Sequence, residues 1–345
     1  MHRRPTIVTA VAALAASAAL LLSGCVAGEG SASGSTSSAG VTEGGTLNID
    51  FATYNPLSLV IKKEGWLEKA LKKQNITVNW VQSAGSNKAN EALRSGAIDV
   101  GSTAGSAALL ARANGSDIKT IDIFSQPEWS AIVVGPNSDI TSVAQLKGKQ
   151  IAATKGTDPY FFLLQALEAN GLSASDVTIQ NLQHADGWAA LQGGSVQALS
   201  GLDPIMANAE KSGAKLIYRN VAFNTYGFLN ATESFLSSKP DVAQTVVNTY
   251  EYARAWALKH KDETAQILAE VAGIDPAVAT TVITQRTNLD VSNVPGNAQL
   301  KVLKKVGPIF VQSGDVRTQK DIDTALDTLL DPAFAKKADP TAIGG

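Results

Sequence analysis

The groups that could do chemistry in this chain are small, mostly neutral, and placed at predicted strand ends. Residues 89–115 read ANEALRSGAIDVGSTAGSAALLARANG. The pattern predicts a helix to residue 94 stopped at Ser95-Gly96, a short strand over 97–101, a loop over 102–106, and a second helix over 107–113. A Gly/Ser/Thr loop between a strand's carboxyl end and a helix N-terminus lets a ligand approach free backbone N–H groups. Ser102 and Thr103 would add hydroxyl donors, so the natural guest is an anionic head group held without arginine. The alternative is that both hydroxyls satisfy only their own turn.

The same logic applied along the chain collects the other candidates. Tyr54 and Asn55 follow a predicted strand over 46–52, and Gly85 and Ser86 follow one over 76–81. Gln126 and Glu128 lie in Ser125-Gln126-Pro127-Glu128-Trp129, where the rhythm changes. Gly156, Thr157 and Asp158 follow a strand over 151–154, residues 184–188 with Trp188 follow one over 177–182, and Asp203 precedes Pro204. Each has an ordinary structural reading as well. Tyr54 and Trp188 could pack in cores, and Asp158, Asp186 and Asp203 could cap helices. Three carboxylates near one site would repel a simple anion and would suit the ammonium of a zwitterion or a cationic ligand.

Several chemistries are excluded by residue type and spacing. The 101–105 turn has Thr103 where a nucleophile elbow needs Ser. Gly148-Lys149 is followed by Gln150 and lacks the upstream glycine of a phosphate loop. His2 falls in a predicted leader, and His184 and His260 share no metal-ligand spacing. Cys25 is the only cysteine, so no disulfide and no cysteine metal site is available. No metal and no cofactor is expected.

These candidates must be positioned by a chain of 345 residues with 44% hydrophobic and 17% charged residues and a net charge of −2. That composition suits a globular body of two domains and carries no nucleic-acid signal. Residues 1–24 combine a basic start (His2, Arg3, Arg4) with an apolar run over 7–22, the pattern of an export signal. Residues 25–45, rich in Gly and Ser, read as a flexible tether. The succession from 46 to 124 is βαβαβ, which implies a parallel sheet with its loops at one edge. A second α/β half follows from 130, and long helices dominate from 240.

Two stretches carry a resemblance. EALRSGAIDVGSTAGSAALLARANG resembles the signature of solute-binding proteins of ABC importers, most closely the branch for aliphatic sulfonates, taurine and nitrate. Ser138, Ile140, Leu146-Lys147-Gly148-Lys149 and Lys155-Gly156-Thr157 match the family's second-half segment. Gly194 to Ala198 resembles its Gly-x-Val-Asp-Ala element, with Gln197 in place of Asp, and Asp203-Pro204 resembles its Asp-Pro loop. Leu22-Ser23-Gly24-Cys25 looks like a bacterial lipobox, with Cys25 the lipidated residue. The resemblance covers nearly all of 46–335.

It implies an α/β, two-lobe periplasmic-binding-protein fold (type II) with the ligand cleft between lobes. Lobe 1 would be 46–129 with 232–345, and lobe 2 would be 130–231. The implied role is an extracytoplasmic, membrane-anchored, monomeric receptor that captures a small sulfonate or taurine and delivers it to an ABC permease with its ATPase. Other ligands (nitrate, an aromatic acid, a thiamine-precursor-like heterocycle) or a tethered sensor would use the same cleft. A synthase branch of the superfamily depends on cysteine and histidine clusters that this chain lacks. Ala104-Gly105 where the branch has Gly-Asp, and Leu202 where it has an aromatic, alter the expected pocket lining.

Overall fold

The structure, a computed structural model, describes residues 44–343. The predicted leader, Cys25 and the tether up to residue 43 lie outside the described residues. Ten strands are present among those described: β1 (Gly45–Phe51), β2 (Ile76–Gln82), β3 (Val100–Ala104), β4 (Ile118–Ser125), β5 (Ser130–Val134), β6 (Gln150–Ala152), β7 (Thr178–Gln180), β8 (Ala198–Leu202), β9 (Lys215–Tyr218) and β10 (Gly227–Thr232). They form two five-stranded sheets, ordered β2-β1-β3-β10-β4 and β7-β6-β8-β5-β9.

Neither sheet is purely parallel. β1 is parallel to β2 and β3, and β6 to β7 and β8, as the βαβ rhythm requires. β10 instead runs antiparallel between β3 and β4, and β5 runs antiparallel between β8 and β9. A parallel partner needs a crossover back to the same sheet end. β10 arrives after the whole second sheet has been made, and enters from the opposite end. Its residues 227–231 therefore belong with the first sheet, not with the second half where the expected boundary put them.

The strand after Gly96 is also displaced. Gly96 ends the Ser86–Ser95 helix at φ +71° as expected, but β3 begins at Val100 instead of 97. Ser102 and Thr103 are thus strand residues, fully buried, and not loop residues. Their polarity is matched from neighbouring strands. Ser102 donates its backbone N–H (2.9 Å) and hydroxyl (3.0 Å) to Asp50 of β1, and Asn230 of β10 donates to Thr103 Oγ1 at 2.8 Å. A buried polar pair satisfied across strands reads locally like a loop, since the partner is remote in sequence.

Helices cover both sheets. The Pro56–Glu64 helix starts as the sequence implied, with Asn55 Oδ1 accepting from the Ser58 N–H and Pro56 in the first turn. Its Leu57 and Ile61 pack with Val246, Val247 and Tyr250 of the Pro240–Lys259 helix. A second apolar cluster joins Leu109 and Phe310 to Phe161 and Phe162 of the Asp158–Ala169 helix, so the two sheets share packing on one side. The Phe161 and Phe310 rings are 4.3 Å apart.

Candidate functional site

On the other side, a cavity of about 310 Å³ opens between elements of the two sheets. Thr53 and Tyr54 follow β1, and Ala84 follows β2. Gln183 is the N-cap residue of the His184–Gln192 helix, which His184 and Ala185 begin, while Leu202 ends β8 and residues 203–205 follow it. Ala272 and Ile274 close a third wall from the end of the Lys261–Ala272 helix. Strand ends from both sheets thus converge on one space, the usual ligand position in open α/β sheets.

Two helix N-termini meet here. The Ser86–Ser95 helix starts after Gly85 and the His184–Gln192 helix after Gln183, and neither start has a side-chain cap. Their first backbone N–H groups are free of intrahelical acceptors, and the aligned peptide dipoles add partial positive charge at each. The two starts touch. A Cβ on Gly85 would stand 3.1 Å from His184 Nε2 and 2.9 Å from Asn87 Oδ1. Among the described residues no lysine or arginine lines the cavity, so the helix starts supply positive potential at that wall.

The protonation of His184 follows from its partners. The Thr154 hydroxyl donates to the Leu182 carbonyl at 2.6 Å and also lies 3.1 Å from His184 Nδ1. With its single proton spent, Thr154 can only accept, so Nδ1 carries the imidazole proton. Burial lowers the ring's pKa to about 4, which leaves it neutral. Nε2 is then a bare acceptor without a partner.

Asp203 sits opposite. Its Oδ1 accepts from the Ala207 N–H and from Arg286 Nη1, both at 2.9 Å, while Oδ2 has no partner. Burial pushes its pKa up to about 6, with Arg286 pulling the other way. Arg286, itself buried, also pairs with Glu210. It ends a single widened helical turn over Val282–Arg286, where the Thr287 N–H reaches back to the Val282 carbonyl at 2.8 Å.

The residues expected at the site separate into groups. Tyr54 and Asp203 line the cavity, and Gly85 and Ser86 form one helix start beside it. Tyr54 donates to the Ser102 carbonyl at 2.9 Å and meets Trp129 edge to face, ring centres 6.1 Å apart. Gly156 lies on the seam, where an added Cβ would come 3.5 Å from Asn87 Cβ. Asp158 is also on the seam but fully engaged. It accepts from Ser106 Oγ (2.6 Å), Trp129 Nε1 (2.9 Å), and the Thr225 N–H (3.0 Å) and hydroxyl (2.5 Å). Burial raises its pKa and these donors oppose the rise.

The remaining candidates do not face the cavity. Asn55 caps its helix and donates to Tyr250 Oη, and Thr157 donates to the Thr154 carbonyl. Ser102 and Thr103 are spent on Asp50, on the Ala104 carbonyl and on Asn230. Gln126 and Glu128 line a separate groove, with Glu128 paired to Arg219 at 3.1 Å. Trp188 is half-buried against the core around Leu191 and Leu199. It falls in the second turn of its helix, which begins at His184. Sequence reasoning passed over Arg286, Trp129, Ala272 and Ile274. No spacing in the sequence links Arg286 to Asp203.

Comparison with known proteins places the family and the fold. Residues 59–264 match the family described as NMT1/THI5 like. A Bacillus subtilis (strain 168) protein, provisionally named an aliphatic sulfonates-binding protein, is 32% identical over 229 residues, which cover 65% of this chain and 69% of that one. The alkanesulfonate-binding protein SsuA from Xanthomonas axonopodis pv. citri, bound to MOPS, superposes with a TM-score of 0.74 at 26% identity over 81% of this chain and 97% of that chain. The periplasmic aliphatic sulphonate binding protein SsuA from Escherichia coli gives 0.70 at 27% identity over 84% and 92%.

Proposed function

This chain belongs to the NMT1/THI5-like family, and from that premise we propose that it is the extracytoplasmic binding component of an ABC importer, capturing a small sulfonate-type solute by closure of two lobes. The observation that carries the reading is the pair of uncapped helix starts meeting at Gly85 and His184 beside the cavity. A sulfonate stays ionised at all physiological pH values and needs donors but no counter-ion. Backbone N–H groups from opposite sides supply them only when the lobes are together, so binding energy goes into closure. The relatives named above, provisionally or outright, for sulfonate binding support the ligand class.

The same reading makes the protein a receptor without a catalytic step. It works as a monomer, with an ABC permease and its ATPase as partners in delivery. Lobe 1 comprises the first sheet with its helices and lobe 2 the second sheet, hinged at the crossings near 126–130 and 219–226. Cys25, once lipidated, would hold the molecule on the outer face of the cell membrane. Among the described residues no helix is long and apolar enough to cross a membrane.

Thermal unfolding against a panel tests the ligand class: taurine, alkanesulfonates, an aryl sulfonate, nitrate, bicarbonate and thiamine-like heterocycles. A ligand that binds only the folded state raises the unfolding temperature by mass action. Stabilisation by sulfonates is expected. A response confined to nitrate or to the heterocycles would overturn the sulfonate reading and keep the receptor role.

A further inference from the structure

A narrower conclusion, resting on the sulfonate-receptor reading, concerns the end of the ligand that is not the anion. Three residues lining the cavity carry buried side-chain atoms without a partner: Gln183 Oε1, His184 Nε2 and Asp203 Oδ2. All three are acceptors. His184 is fixed as one because its only ring proton goes to Thr154. Being the first residue of its helix also disfavours a second proton, since the N-terminal dipole repels positive charge. Tyr54 has likewise spent its proton, on the Ser102 carbonyl, so its oxygen presents only lone pairs.

Charge points the same way. Among the described residues Arg286 is the only cation in an ion pair with Asp203, and it is shared with Glu210, while Arg219, whose charge also reaches Asp203, is paired with Glu128. The cluster keeps an excess negative charge at the cavity wall. A plain alkyl chain placed there would strip water from these acceptors and return nothing, which costs free energy at each buried polar group. An ammonium brings three N–H donors and a positive charge in the volume of a methyl group. We propose that the cavity selects an aminoalkanesulfonate zwitterion, its ammonium donating to Asp203 and His184 while the helix starts at Ser86 and His184 hold the sulfonate.

Matched ligands isolate the ammonium. Taurine differs from 1-propanesulfonate, and 3-aminopropanesulfonate from 1-butanesulfonate, by an ammonium in place of a methyl. Titration calorimetry on the purified protein should show each amino compound binding at least about tenfold more tightly than its methyl partner. Equal or weaker binding of the amino compounds, with the alkanesulfonates still bound, would overturn the ammonium subsite and leave the sulfonate receptor intact. Failure of all four compounds to bind would overturn both. D203N and H184Q should each shrink the amino-to-methyl affinity ratio several-fold, whereas a merely structural role would weaken both ligands alike and leave the ratio unchanged. D203N also disturbs the pairing with Arg286, so H184Q is the variant that decides if D203N does not fold. A wild-type ratio in folded H184Q would overturn the assignment.

Discussion

Replacing Gly85 by alanine tests closure at the point where the two helix starts touch. Gly85 has φ 170°, an extended conformation open to any residue, so the substitution introduces no backbone strain. Its clash with His184 is steric and is confined to the closed arrangement, whereas Asn87 belongs to the same helix start. The new methyl would lie 2.9 Å from Asn87 Oδ1, 3.1 Å from His184 Nε2 and 3.3 Å from His184 Cδ2. Asn87 can swing aside, but the His184 ring is pinned through Nδ1 to Thr154 and cannot. The lobes must then part by several tenths of an ångström, or the ring must leave its position. Overpacking of this kind costs about 1–3 kcal/mol. Since only the closed form feels the contact with His184, that cost appears in ligand affinity, a weakening of roughly 5- to 150-fold. Calorimetry with the ligand found in the panel measures it. Urea unfolding without ligand tells a closure defect from a folding defect, and its midpoint should move less than the binding free energy. Wild-type affinity in G85A would refute the claim that the lobes close through this contact.

Asp158 offers a second test, on stability. D158L removes the acceptor of four buried hydrogen bonds, and at about 1 kcal/mol for each stranded donor the loss should reach at least about 4 kcal/mol in urea unfolding. D158N, which keeps one oxygen, should lose clearly less, and equal losses would contradict the hydrogen-bond account. A third test uses pH. Burial lifts Asp50 from 3.8 to about 7, so the folded state keeps a proton that the unfolded chain releases. Its contribution is full below about pH 4 and is lost as pH rises through about 7, roughly 4 kcal/mol in all. Asp158 and Asp203 are raised in the same sense. The protein should therefore be more stable near pH 5 than near pH 8, and D50N should flatten that slope; an unchanged slope would count against a buried, protonated Asp50. Finally, C25A should shift the protein from the membrane fraction to the soluble fraction of the producing cells, and retention on membranes would remove Cys25 as the anchor.

Local signals carried the elements whose causes are local. Asn55-Pro56 starts a helix because a side-chain acceptor and a fixed φ act within one turn, and Gly96 ends one because a left-handed residue is needed there. The two α/β halves, the second starting at Ser130 where β5 begins, follow from periodicity. The site was less legible, for a physical reason. Ser102 and Thr103 look like ligand groups because they are small and polar, yet their partners, Asp50 and Asn230, lie on other strands. Arg286 becomes important only because a widened helical turn carries it to Asp203, and nothing within a short window announces that approach. Gly85 was visible as part of a small polar loop at a predicted strand end, and Asp203 through the resemblance of Asp203-Pro204 to the family's Asp-Pro loop. Their use in the site depends on His184, whose character as an acceptor is set by a threonine thirty residues away.

The position of β10 also sets an order of events during synthesis. β3 and β4 do not pair with each other; both pair with β10, and the Asn230 to Thr103 bond spans 127 residues. The second sheet is complete once β9 ends at Tyr218, because all its strands lie between Ser130 and that residue. The first sheet, although begun earlier, must wait for Gly227–Thr232 and for the Pro240–Lys259 helix that covers it. Until then β3 and β4 each present an open edge, the kind of surface on which strands of other chains add. An emerging polypeptide therefore finishes its later half first, and the segment made earliest is the one that most needs protection before export.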